Sequence, residues 1–343
     1  MGRTAETWLA LDVGGANLKG SHSSGAARSL PFALWRRPER LSAEIGRFAE
    51  SFPAFDRVAL TMTAELCDCY PTKRAGVLAV LEAVSSALPM IPVVVWGLDG
   101  RLHPSTEIRD APLLAAAANW LALATFAARL TGDGPGVLID VGSTTTDIIP
   151  LQGGRPVPRG RTDTDRLQSG ELSYVGVRRT TVCALAETLP FQGRPTALVA
   201  EFFATTLDVF LVLEDIREDP DDLDTADGRA ATIAHARDRL ARTVGADREA
   251  CSSADVFPLA EAAHEAILAR LVSSSARAGL VAGGRPLVAV VSGSGEFLAE
   301  RLAGRILGPE GRVVRLSEHW GAVASAAACA QALRLLAESE WGG

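Results

Sequence analysis

The sequence predicts an α/β protein built from two related halves, and two observations carry that prediction. Short β-favouring apolar runs at 8–13, 58–62, 91–96, 137–141 and 287–291 are bounded by Gly, Pro or Asp. They alternate with helical stretches at about 39–51, 74–88, 111–130, 227–244, 258–279, 295–305 and 321–338. Such alternation implies parallel strands covered by helices. The second observation is an internal echo: "LALDVGGANLKG" (9–20) resembles "VLIDVGSTTTDI" (137–148), aligning Asp12 with Asp140 and Gly14 with Gly142.

A chain of 343 residues, 48% of them hydrophobic, can bury a large core in about two domains. The echo places a first domain at 1–128 and a second, with a helical insertion, at 129–343. The final helix (about 321–338) is expected to pack back toward the first domain. A net charge of −7 argues against a nucleic-acid partner or an anionic membrane surface, both of which need a basic stripe. Small-molecule substrates are the expected partners, and a homodimer is left open. The uncharged run 111–128 approaches the length of a membrane crossing, but its alanines and Asn119 favour a buried helix. Five cysteines, at 67, 69, 183, 251 and 329, form no disulfide framework and fit a reducing cytoplasm. "CDC" (67–69) has no second Cys or His pair, and the five histidines show no ligand spacing, so neither is assigned a metal.

Each copy of the echo is strand, Asp-x-Gly turn and returning strand. A glycine turn after a buried strand lets backbone N–H groups approach a phosphate with no Cβ in the way. Gly14, Gly15, Asn17 and Lys19 in the first copy, and Gly142, Ser143, Thr144 and Thr145 in the second, are therefore the candidate phosphate cradle. The carboxylates of Asp12, Asp140 and Asp147 tolerate a phosphate if a hydrated Mg²⁺, or another divalent cation, lies between. A third turn, Gly293, Ser294 and Gly295 of "SGSGE", follows strand 287–291 and opens a helix. One Asp-x-Gly turn alone reads better as an ordinary hairpin; two in register plus the third favour a phosphate-and-metal cleft.

This arrangement resembles the actin-like ATPase (ribonuclease H-like) superfamily, which implies two related domains flanking a cleft. Longer stretches are more particular: "TMTAELCDCYPTKRAGV" (61–77), "AAANWLA" (116–122), "TDRLQSGELSYVGVRRTTVCAL" (164–185) and "AEFFATTLDVFL…DTADGR" (200–229). They resemble the hydantoinase/oxoprolinase-like proteins of tetrahydromethanopterin-linked C1 metabolism. Two departures are Ala64, where glycine is expected, and "VLEDIR" (212–217), where a Gly/Pro-containing loop is expected.

The resemblance implies a transferase of methanofuran biosynthesis. It would join an aminomethyl-furanmethyl diphosphate to the phenol of γ-glutamyltyramine and release diphosphate. Against that chemistry, Glu65 and then Glu171 are the candidate bases for the phenol. Arg178, Arg179 and Lys73 are candidates for neutralising the leaving group. Asp227 would bind the cationic aminomethyl group or a metal; Asp68, Asn119 and Tyr174, with Tyr70, are further substrate contacts. The late glycine turn is also compatible with ATP or ADP, which this reaction does not require. Rival readings are an ATP-dependent kinase or hydantoinase/oxoprolinase, and a non-catalytic nucleotide sensor. Lysine is rare here (Lys19 and Lys73 among 34 basic residues), so each one merits a role.

Overall fold

The computed structural model describes residues 6–280 and 285–341. The chain divides into two compact units. The first comprises Met1–Leu138, Ile149–Arg166 and Val314–Gly343; the second comprises Ile139–Ile148 and Leu167–Val313.

The first unit begins with β1 (Trp8–Val13), β2 (Asn17–His22), β3 (Ala27–Pro31), α1 (Leu41–Glu50), β4 (Arg57–Met62) and α2 (Lys73–Ala87). β5 (Val93–Trp96), β6 (Leu102–Pro104), α3 (Ser105–Asp110) and α4 (Asn119–Ala128) follow. Its sheet runs β3-β2-β1-β4-β5-β6, with β1, β4 and β5 parallel at the centre. β1 reads as a continuous apolar run because both its faces are covered. Leu9, Leu11 and Val13 pack with Ile45, Phe48, Val77, Val80 and Val84 of α1 and α2. Trp8 and Ala10 alternate to the opposite face, with Ala118 and Ala122 at α4.

The second sheet takes β7 (Gly136–Val141), β8 (Thr146–Gln152), β9 (Arg155–Pro156) and, beyond α5 (Asp163–Ser169), β10 (Leu172–Ser173). After the hairpin β11 (Thr188–Phe191) and β12 (Arg194–Ala197), helices α6 (Thr206–Val212), α7 (Ile233–Thr243) and α8 (Ser253–Arg277) pack together. β13 (Val288–Ser292), α9 (Glu296–Ile306) and β14 (Arg312–Arg315) complete the order β10-β8-β7-β13-β14, β9 pairing with β8. The chain ends in α10 (Leu316–Trp320), α11 (Ala322–Ala326) and α12 (Ala328–Trp341). α12 lies in the first unit, with Leu333, Leu336 and Ala337 in the core cluster of Trp8 and Ala10.

One expected helix is broken. The run 111–130 forms a short 3₁₀ turn at Pro112–Ala115, and α4 starts only at Asn119. Ala117 between them has φ +49°, a left-handed conformation that no helix continues through. Among the described residues no helix is long and apolar enough to cross a membrane.

Candidate functional site

In the first unit the predicted turn forms as a tight hairpin. Gly14 N–H donates to Asn17 O at 3.0 Å, and Asp12 on β1 stands opposite Lys19 on β2. The turn's two glycines have close neighbours where a side chain would start. A Cβ at Gly14 would lie 2.9 Å from Asn17 O, and one at Gly15 2.5 Å from Cys67 Sγ. Thr63 N–H donates to Val13 O at 3.0 Å, so the segment leaving β4 is tied to the hairpin at the carboxyl ends of two parallel strands. That edge is where open α/β sheets bind ligands.

The segment leaving β4 is a 3₁₀ turn, Ala64–Leu66, that carries Glu65. Its backbone is pressed against α2, where a Cβ at Gly76 would come within 2.5 Å of Glu65 Cα and O. Glu65 is 1% exposed, and neither side-chain oxygen makes a hydrogen bond. Burial pushes its carboxyl up to about 7. Its own amide, the Lys73 ammonium and the Ala117 amide pull downward, and the Asp163 carboxylate adds to the rise.

Lys73 opens α2, whose first turn is capped by Thr72 accepting from Ala75 N–H at 3.1 Å. Its Nζ lies 3.3 Å from Asp163 Oδ2. Asp163 Oδ1 is 3.7 Å from Arg166 Nη1, and the buried Arg166 guanidinium stands 4.2 Å above the Trp120 ring. Asn119 is beside it, its Oδ1 accepting from Trp120 N–H at 2.7 Å. Three of the motif stretches thus converge on Glu65. Asp68 is exposed in the same turn, and Tyr70 is half-buried, its phenol pushed up to about 12 by burial and the nearby thiols Cys69 and Cys67.

The second unit repeats the hairpin. Gly142 N–H donates to Thr145 O at 2.9 Å, the same bond as in the first copy. Two segments brace it. The backbone of Val177, Arg178 and Arg179 donates to Gly142 O and Ser143 O at 3.0–3.1 Å, and a Cβ at Gly176 would meet Thr144 N at 2.5 Å. On the other side Gly293, at φ +95°, faces Val141 O, and Gly295 N–H donates to that oxygen at 2.9 Å. Ser292 Oγ donates to Asp140 Oδ1 at 2.6 Å, fixing the carboxylate at the strand end. Asp147 pairs with Leu172 across β8 and β10, while Ser294, Tyr174 and Arg179 are exposed.

Several predicted side chains are occupied structurally. Arg178 Nη2 donates to Asp222 Oδ2 at 2.6 Å, so this arginine ties the acidic loop to the hairpin brace. Glu171 is fully buried and accepts from Ser169 Oγ at 2.8 Å. Asp227 accepts from Arg229 Nε at 2.7 Å and Arg239 Nη1 at 3.0 Å. Burial opposes ionisation there, but these bonds outweigh it and hold the carboxyl below its ordinary value. Asp163, Arg166 and Trp120 were not singled out from the sequence. A separate hollow of about 530 Å³ between β3 and α1, lined by Arg28, Leu30, Glu44, Arg47 and Phe48 among others, contains no predicted site residue.

Among the described residues no three His, Cys, Asp or Glu side chains form a ready metal cage. The hairpins still suit a hard cation: each ends a strand in one aspartate beside turn N–H groups, and Mg²⁺ takes few carboxylates, keeping water and phosphate oxygens.

These features define an actin-like ATPase fold. A nucleotide-free acetone carboxylase structure, from work on ATP-dependent acetone carboxylation, superposes with a TM-score of 0.54 at 10% identity, covering 95% of this chain and 70% of that one. The chain belongs to the hydantoinase/oxoprolinase family, whose model matches residues 56–337. It is 36% identical over 263 residues to the (4-{4-[2-(gamma-L-glutamylamino)ethyl]phenoxymethyl}furan-2-yl)methanamine synthase of Methanocaldococcus jannaschii, covering 76% of this chain and 78% of that one. The Methanococcus vannielii protein of the same name is 29% identical over 205 residues, covering 60% of this chain and 91% of that one.

Proposed function

We propose that this protein is a transferase of methanofuran assembly that joins an aminomethyl-furanmethyl diphosphate to the phenol oxygen of γ-glutamyltyramine. The phenol oxygen forms a bond to the furan methylene carbon, the bond from that carbon to the diphosphate oxygen breaks, and the phenol proton passes to Glu65. The observation that carries the reading is Glu65 itself, a buried carboxyl with no hydrogen bond to either oxygen, in the segment that Thr63 ties to the end of β1.

The magnitudes favour Glu65 as base. An ordinary glutamate lies about 6 pH units below a phenol, whereas a carboxyl raised to about 7 lies roughly 3 below it. The smaller gap makes proton transfer during carbon–oxygen bond formation far less uphill. The N–H groups of the Gly14–Asn17 turn and the Lys19 and Lys73 ammonium groups are assigned to the diphosphate, the Gly142–Thr145 turn offering an equivalent set. Asp12 in the first hairpin, and Asp140 and Asp147 in the second, are the carboxylates that would hold a divalent cation, which when bound offsets the charge of the departing diphosphate. None of the five cysteines is in a disulfide, which suits the cytoplasm.

The test is incubation with both substrates and Mg²⁺ but no nucleotide. Diphosphate should appear in equal amount to the ether product, and E65Q should lower the rate at least about 100-fold. An absolute requirement for ATP would overturn this reading in favour of an ATP-dependent enzyme of the same fold.

A further inference from the structure

Asp163 and Arg166 belong to none of the groups the reaction described above uses, and their placement is costly. Arg166 is 2% exposed, and a buried guanidinium is retained only against a close partner set. Among its contacts are the Trp120 ring at 4.2 Å and the Asp163 carboxylate at 3.7 Å. Asp163 in turn holds Lys73, at the start of the helix packed against Glu65, at 3.3 Å.

We propose that Asp163 is a positioning residue of the transfer reaction: clamped by Arg166 over Trp120, it holds the Lys73 ammonium beside the Glu65 carboxyl, so that base and countercharge act as one unit. This rests on the transferase reading above. A carboxylate paired with the ammonium shares its charge, so Lys73 can face an incoming anion without stripping Glu65 of its capacity to take a proton. The charged groups whose fields reach Glu65 are Lys73 at the start of α2 and Asp163 at the start of α5, acting in opposite directions.

The two charges predict opposite movements. In D163N the carboxylate that disfavours an ionised Glu65 is gone, so the limb of kcat/KM governed by Glu65 should move to lower pH, by about half a unit to one unit. In K73M the helpful cation is gone, and the same limb should move to higher pH by a similar amount. R166K keeps the charge but loses the planar stack; it should lower kcat more than it raises KM.

A purely structural role would lower activity in all three without moving the limb, and that result overturns the proposal. A second readout does not depend on turnover. The stability difference between wild type and E65Q, followed by urea unfolding from pH 5 to 8.5, reports the titration of Glu65, and its midpoint should fall in the D163N background and rise in the K73M background. Midpoints that coincide in all backgrounds overturn the coupling. Shifted midpoints in a protein that releases no diphosphate would overturn the transferase reading and, with it, the role of Asp163 in transfer.

Discussion

At the residue scale, Glu65 ties stability to function with opposite signs. Its carboxyl is raised from 4.5 to about 7 by burial, so the folded protein holds a proton there that the unfolded chain has released over most of that interval. The folded state therefore binds more protons, and stability falls as pH rises from about 4.5 to 7. The full effect is about 3 kcal/mol, taken at about 1.4 kcal/mol per pH unit. Glutamine in this position cannot ionise. E65Q should thus be inactive yet more stable than wild type at pH 8, with the two converging near pH 4; urea midpoints at both pH values check this. Wild-type turnover should instead rise through pH 7, because the base must be ionised. Lys73 was legible in the sequence because lysine is so rare in this chain, and Glu65 because it occupies a polar turn after a strand. Arg166 was not legible. It is one of 32 arginines, and only contacts with residues far away in sequence set it apart.

At the element scale, the glycine turns were legible because their constraint is local. Strand, Asp-x-Gly and returning strand can be read from about a dozen residues, and both copies close with the same N–H to C=O bond. What braces them was not local. Gly176 lies over thirty positions from Thr144, yet its missing side chain lets the two backbones touch. An alanine there would meet Thr144 N and Ser143 C within 2.6 Å, and neither backbone atom can swing aside. G176A should cost about 1–3 kcal/mol and displace the second hairpin. Diphosphate affinity, measured by calorimetry, should fall with it. Gly25 provides the control: at φ +87° with open space around its Cβ position, G25A should cost about 1 kcal/mol of stability and leave diphosphate affinity intact. The broken helix at 111–130 follows the same rule. Alanine content predicts continuous helix, and the break at Ala117 serves a tertiary purpose by bringing its amide near Glu65.

At the scale of the whole molecule, the compact units are discontinuous in sequence: the first recovers Val314–Gly343 from the far end of the chain. That segment completes a core. Leu333, Leu336 and Ala337 of α12 cover the Trp8 and Ala10 face of β1, and the buried Ser21 and Gln331 hydroxyl and amide bond across more than 300 residues. Ser23 Oγ adds a bond to Glu338 Oε1 at 2.6 Å. Removing residues from 314 onward would expose two tryptophans, Trp8 and Trp96, that are fully buried in the same cluster. Burial of Leu333 and Leu336 alone is worth about 3–6 kcal/mol, a large share of the roughly 5–15 kcal/mol that holds a domain folded. A chain ending at 313 should therefore fail to fold. The subtler variant L336A should stay folded while losing about 2–5 kcal/mol. All six tryptophans (8, 35, 96, 120, 320 and 341) fall within the first unit, so intrinsic fluorescence reports that unit alone. L336A should bring the fluorescence-detected urea midpoint down. An unchanged fluorescence midpoint would mean that Leu336 does not contribute to the first unit's core.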